Sequence, residues 1–288
     1  MRVLLTGANG QLGWELQRSV PSGIEIAAFG SAELDITDRQ TITRTVAAHT
    51  PDVIINAAAY TAVDKAEQDP ERAFLINGQG AANLAQAARD GGMRLIHIST
   101  DFIFDGRKSS PYLPGDPPNP LGIYGKSKLN GEELILAITK GQNTAIIRTA
   151  WVYSSHGHNF VKTMLRLMSD RDSLAVIADQ IGTPTWAHGL AQAVWSVATG
   201  GSITGIHHWT DAGVASWYDF AVAIMEEAYS LGLLSKQPLI RPIPATAYPL
   251  PAQRPPYSVL DKSSLWQALD WTPIHWRVEL RKMLTEMK

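Results

Sequence analysis

The chain has 288 residues, 45% of them apolar, enough for about two domains or one large α/β unit with an appendage. With 25 basic and 27 acidic residues the formal charge is −2 and no long run of one sign occurs, so the sequence lacks the footprint of a nucleic-acid binder or a basic membrane-surface helix. Cysteine is absent, which excludes disulfides, thiolate metal sites, Fe–S clusters and cysteine nucleophiles.

Met1–Gly7 breaks after three apolar residues, too short for a signal-peptide core, and no run approaches the ~20 residues of a membrane span. The expectation is a cytoplasmic protein. Apolar runs predict strands at Arg2–Leu5, Glu25–Phe29, Asp52–Ala57, Arg94–Ser99 and Thr144–Arg148. They are apolar nearly throughout, as strands covered on both faces are. Helical patterns lie between them at Leu12–Val20, Asp38–His49, Glu71–Asp90 and Gly125–Thr139. This alternation predicts βαβ units and a doubly wound parallel sheet. The second half is rich in tryptophan, and Pro242–Pro256 is rich in proline, so a smaller lobe of loops and short helices is expected there, with no regular structure over 242–256.

The first strand runs straight into Gly7-Ala8-Asn9-Gly10-Gln11-Leu12-Gly13, a G-x-x-G-x-x-G loop that opens a helix. Glycines there allow a tight turn and close approach of a pyrophosphate to the helix N-terminus. Tyr124-Gly125-Lys126-Ser127-Lys128 places a phenol and an ammonium on one helical face. A free tyrosine titrates near ~10, and a neighbouring cation is expected to lower it. Thr100-Asp101 closes the fourth strand at the edge where doubly wound sheets bind ligands, although a helix cap or turn also accounts for it. The pairs His156/His158 and His207/His208 have no H-E-x-x-H and no carboxylate cluster, and read as loop or surface residues; no metal site is expected.

The glycine spacing with the Thr–Tyr–Lys set resembles the short-chain dehydrogenase/reductase superfamily, in its extended, nucleotide-sugar branch. Further segments are similar to the dTDP-4-dehydrorhamnose reductase family: Gly10–Leu16, Ala58–Glu67 with its Asp64-Lys65-Ala66-Glu67, Ser99–Phe104, Pro120–Lys128, Arg148–Tyr153, Asp179–Thr185, and Arg254-Pro255 with Ser258–Leu260. The resemblance implies a Rossmann-like fold with a smaller, partly interleaved C-terminal substrate lobe. The division expected is 1–152 for the dinucleotide and 153–288 mainly for the substrate, with a helix near 186–200 packing back on the first part.

It implies NAD(P)H-dependent reduction of the C4 keto group of dTDP-4-dehydro-L-rhamnose, the last step of dTDP-L-rhamnose biosynthesis. Tyr124 is then the general acid, Lys128 holds the nicotinamide ribose and depresses the tyrosine, and Thr100 bonds the C4 oxygen. Asp101, Trp151 and Arg254 join Thr100 toward the sugar. The cofactor set implied is Gly7, Gly10, Gln11, Leu12, Gly13, Ser31, Asp35, Ile36, Ala57, Ala58, Ala59, Tyr60 and Thr61, with Tyr124 and Lys128. NADPH is expected, with NADH also accepted, because Phe29-Gly30-Ser31-Ala32 carries no acid, Glu33 is placed past the contact, and no arginine follows. Relatives that pair through bound magnesium use a glutamate like Glu15 with acids after the Gly-x-Pro-Thr segment. Trp186-Ala187-His188 has none, so a monomer or weak homodimer is expected. Alternatives are another nucleotide-sugar reductase or epimerase, or a non-catalytic subunit like that of methionine adenosyltransferase. A 4,6-dehydratase is disfavoured because Phe102 stands where its acid belongs.

Overall fold

The computed structural model describes residues 1–288. The first half runs β1 (Arg2–Thr6), α1 (Gln11–Arg18), β2 (Glu25–Phe29), α2 (Arg39–His49), β3 (Val53–Asn56), α3 (Val63–Ala66), α4 (Pro70–Phe74), α5 (Ala81–Asp90), β4 (Arg94–Thr100), α6 (Ile123–Thr139) and β5 (Thr144–Thr149). These strands and a sixth, Gly205–His208, form one parallel sheet in the order sixth strand, β5, β4, β3, β1, β2. Val3 and Leu5, Val53 and Ile55, Ala145 and Ile147 point into one core with Leu12, Leu16, Leu190 and Trp195. Leu4, Ile54 and Ile146 point into the opposite core with Ile42, Leu84 and Ile135. Two covered faces explain why these strands are apolar without alternation. β1 lies between β2 and β3, so the direction of winding switches at its C-terminal end, and a crevice opens there.

The helix expected over 71–90 is broken. α4 gives way to a π-type turn, Leu75–Gly80, before α5 resumes. The wider turn leaves the buried Asn77 facing the sheet edge, where it accepts from Tyr60 N (2.8 Å) and donates to Tyr60 O (3.0 Å) and Ser127 Oγ (3.0 Å). A helix-period pattern cannot reveal such a bulge, because one extra residue leaves the apolar spacing on either side intact. α6 starts two residues earlier than expected, since Glu67 Oε1 accepts from Ile123 N at 2.7 Å and satisfies an end group that the local sequence leaves open.

The second half continues with β6 (Val152–Tyr153), α7 (Phe160–Asp170), β7 (Ser173–Ile177), β8 (Ile181–Gly182), β9 (Thr185–Trp186), α8 (Ala187–Gly200), β10 (Gly205–His208, the sixth strand above), β11 (Ala215–Ser216), α9 (Trp217–Ser230), β12 (Leu239–Ile243), α10 (Ser263–Ala268) and α11 (Trp276–Glu286). The lobe expected to hold loops and short helices is built on longer ones: α7, α9 and α11 enclose a core of Tyr153, Met164, Met168, Phe220, Ile224, Trp276 and Leu280. α8 packs on α1, and the Trp195 indole donates to Leu16 O at 3.2 Å. The proline-rich segment is also less irregular than expected. Its first residues complete β12, which pairs with β7 alone, so Pro242 removes no ladder bond on a second side. His207 and His208 correct the reading of surface histidines: both belong to β10, and His208 is fully buried. No helix is long and apolar enough to cross a membrane.

Candidate functional site

The crevice is a cavity of about 950 Å³ along the C-terminal ends of β1 to β5. Gly7, Gly10, Gln11 and Leu12 line it from the β1–α1 loop, Ser31, Asp35 and Ile36 from beyond β2, and Ala57 to Thr61 from beyond β3. Thr100, Asp101, Tyr124, Lys128 and Trp151 close its other end. Two of the expected residues stand apart. Gly13 is not on the wall; a Cβ there would lie 2.1 Å from Gly7 O, so its role is to seat α1 against the loop. Arg254 is not on the wall either and pairs with Asp64 at 2.7 Å.

The glycine loop is built for close approach. Gly7 has φ +75°, and a Cβ on it would sit 2.6 Å from the Ala57–Ala58 backbone. Gly10 caps α1 without any side-chain hydrogen bond, whereas Asp38 caps α2 through Gln40 N and Thr41 N. The first N–H groups of α1 are thus left for an anion. Gly13→Ala should destabilise the protein by about 1–3 kcal/mol through backbone overlap. An unchanged urea midpoint would show that the loop can yield.

At the second strand, Glu33 is off the cavity wall and accepts from Gly30 N at 2.8 Å. The Asp35 carboxylate is oriented by Thr37 N and Thr37 Oγ1, at 2.9 and 2.8 Å. The sequence shows no basic group beside Ser31, and the fold adds Lys65 of α3 and Arg72 of α4 to the lining of the same cavity. Nothing in their spacing from Ser31 announces this, because α3 and α4 follow a different strand.

At the reactive end, Thr100 Oγ1 donates to Asp101 Oδ1 at 3.1 Å and accepts from Phe102 N at 3.2 Å. It is therefore a turn cap and a cavity residue at once. Burial pushes the Asp101 carboxyl up to about 6, against the pull of hydroxyls from Ser258 and Thr100. Tyr124 lies edge-on to Phe102, ring centroids 5.5 Å apart. Its expected depression by lysine is not found. Burial pushes the phenol up to about 12, Thr100 pulls it down and the Asp101 charge adds to the rise. Lys128, fully enclosed, is itself pushed down by burial to about 8, opposed by Glu132. Desolvation outweighs the helical pairing read from the sequence.

Trp151 adopts φ +48°, unusual for a bulky residue. Its indole stacks on Trp217 of α9, centroids 3.5 Å apart and planes 6° apart, and sits where a Cβ on Gly182 would intrude at 2.5 Å. Sequence reasoning missed Trp217, which stands 66 positions away among many tryptophans.

A family model described as the RmlD substrate binding domain matches residues 1–288. A dTDP-4-dehydrorhamnose reductase of Burkholderia thailandensis is 42% identical, covering 96% of each chain. The structure of a dTDP-4-dehydrorhamnose reductase of Clostridium acetobutylicum superposes with a TM-score of 0.93 at 38% identity, covering 100% of this chain and 99% of that one. That of Bacillus anthracis, in complex with NADP, gives 0.92 at 34%, covering 99% of each. Matched along its whole length and sharing this fold, the chain belongs to the RmlD family of dTDP-4-dehydrorhamnose reductases.

Proposed function

We propose that the protein reduces the C4 keto group of dTDP-4-dehydro-L-rhamnose with NADPH, giving dTDP-L-rhamnose in the last step of that sugar nucleotide's biosynthesis. The observation that carries this reading is a single cavity joining the glycine cradle to Thr100, Tyr124 and Lys128. The cradle fits a dinucleotide: Gly7 and Gly10 leave it open, and α1 presents uncapped N–H groups to a pyrophosphate. Ala57 to Thr61 and Asp35 with Ile36 flank the adenosine half. Bound there, NADPH supplies the hydride.

The chain's own residues manage the proton and the oxygen. Tyr124, protonated at neutral pH, donates its phenolic proton to the C4 oxygen as charge develops there. The Thr100 hydroxyl, held by its cap bond to Phe102 N, turns its one O–H from Asp101 Oδ1 to the same oxygen. Lys128 holds the ribose, and Trp151, backed by Trp217, gives the 6-deoxy face of the sugar an apolar wall. Residues 1–152 carry the cofactor, and 153–288 mainly the sugar nucleotide. The protein works in the cytoplasm as a monomer or weak homodimer. Glu15 supports the last point, being buried and turned inward on Arg18 (2.6 Å), Ser154 (2.8 Å) and His188 (3.3 Å). Incubation with dTDP-4-dehydro-L-rhamnose and NADPH should consume cofactor and yield dTDP-L-rhamnose; no consumption would overturn the reading.

Two further outcomes follow from the wall. Ser31 can donate to a 2′-phosphate, Lys65 and Arg72 add positive charge to the cavity, and Glu33 is held by Gly30. One charge-assisted bond is worth roughly 1.5–3 kcal/mol, so kcat/KM should favour NADPH by about 10- to 150-fold with NADH still used. A tenfold preference for NADH would mean that Glu33 swings to the ribose. The second concerns Asp101. It is neutral below about pH 6 and anionic above, where its charge raises Tyr124. Asp101→Asn should erase the step in kcat/KM near pH 6 and move the alkaline limb to lower pH. An unaltered profile would separate Asp101 from the proton donor.

A further inference from the structure

Behind Lys128 runs a buried polar chain that the reaction scheme leaves unused. Asn56 Oδ1 accepts from Thr6 Oγ1 at 2.8 Å and from the backbone N–H of Ala58 at 3.1 Å. A backbone N–H can only donate, so the Asn56 amide has one orientation, with its NH₂ toward the ring of His97. Asn56 Nδ2 stands 2.9 Å from His97 Nδ1. That nitrogen must accept. The ring is buried, and burial followed by the Lys128 charge pushes it well below the usual histidine range, so it is neutral and carries its one proton on Nε2.

His97 Nε2 stands 3.3 Å from Lys128 Nζ, which also donates to Ile98 O at 2.6 Å. An ammonium has three N–H groups and no lone pair, so one of its donors meets the donor on His97. An amine has one lone pair and two N–H groups. The lone pair takes the His97 proton, one N–H goes to Ile98 O, and the other is free for the cavity. Of the ionisable groups about Lys128, Glu132 lies on its own helix and His97 on β4, Tyr124 and Asp101 share its cavity, and the Glu132 charge is engaged by Arg148 of β5 at 2.7 Å.

We propose that His97 is a positioning residue whose Nε2–H faces Lys128 Nζ and disfavours its ammonium form, so that the lysine takes up a proton from solvent when the oxygen acceptors of a nicotinamide ribose enter the cavity. The inference rests on the reductase reading of the site, but it concerns the lysine and not the transfer to substrate. Burial already lowers Lys128, and the facing N–H acts in the same direction.

The test has two readouts besides turnover. In wild-type protein, ¹⁵N NMR should find His97 Nδ1 unprotonated and Nε2 protonated. Calorimetric titration with NADP⁺ at pH 8, in buffers of different ionisation enthalpy, should show a substantial fraction of a proton taken up, and Lys128→Met should abolish it. His97→Gln can turn its carbonyl toward Lys128, and Asn56→Asp drives the ring proton to Nδ1. Each should raise the lysine by about one pKa unit, roughly tenfold in proton affinity, and so diminish the uptake. An Nδ1–H or doubly protonated ring in the wild type overturns the proposal even if neither variant folds. So does unchanged uptake in a folded His97→Gln. Tight NADP⁺ binding with proton uptake but no keto-sugar turnover would instead sink the reductase reading alone.

Discussion

Tyr124→Phe should lower kcat for the keto-sugar by about 10²–10⁴-fold while NADPH binding stays nearly intact. The substitution removes one oxygen and keeps the ring that meets Phe102 edge-on at 5.5 Å, so the fold has no reason to change. A phenol held up at about 12 remains protonated across the neutral range, which suits a donor that acts only when an alkoxide begins to form. Lys128→Met should depress both rate and cofactor affinity, because its nitrogen lies on the same wall. Stopped-flow reduction and direct cofactor titration separate the two effects. A Tyr124→Phe enzyme that keeps more than half the wild-type kcat would remove Tyr124 from its role as acid.

The features legible in the sequence are those written in short spacings. Gly7, Gly10 and Gly13 follow a strand and open a helix, and Tyr124 and Lys128 are one helical turn apart; the structure puts both groups at one cavity, apart from Gly13. The inner strands β1, β3, β4 and β5 were legible because each sends apolar residues into two filled cores. The sixth, Gly205–His208, was not, since Gly-Ile-His-His has one aliphatic residue and takes its place only by pairing with β5.

His97 was hidden in the run Arg94–Ser99 for the opposite reason. Its partners Asn56 and Lys128 are 41 and 31 positions away, and no periodicity marks a contact of that separation. The sign of the Tyr124 shift was lost similarly: i, i+4 spacing shows the neighbouring charge and says nothing of the desolvation that both groups suffer. Arg254 carries the general lesson that a motif residue need not touch the ligand. Its guanidinium grips Asp64 at 2.7 Å, and so joins the 252–254 loop to α3.

Glu132→Leu should cost about 3–5 kcal/mol of stability, the largest loss expected from any single exchange outside the cavity. Glu132 stands one helical turn beyond Lys128 and is 1% exposed; Arg148, at the end of β5, is 3% exposed. The guanidinium meets the carboxylate through Nε, at 3.0 and 3.2 Å, and through Nη2 at 2.7 Å. It also donates to Pro114 O at 3.1 Å and lies over the Phe104 ring at 5.4 Å. The nearby His208 stays neutral and adds no second positive charge, since burial and then Arg148 push it down to about 3. Losing Glu132 would therefore strand a cation among apolar groups, at a cost comparable to a large part of the 5–15 kcal/mol that holds a typical domain. Removing both partners tests the cause. Glu132→Leu with Arg148→Met takes away the stranded charge, and most of the lost stability should return. Urea denaturation of the two single variants and the double variant closes the cycle. Glu132→Leu costing under about 1 kcal/mol, or a double variant as unstable as the sum of its singles, would mean that Arg148 is neutralised elsewhere and that α6 is held by packing alone.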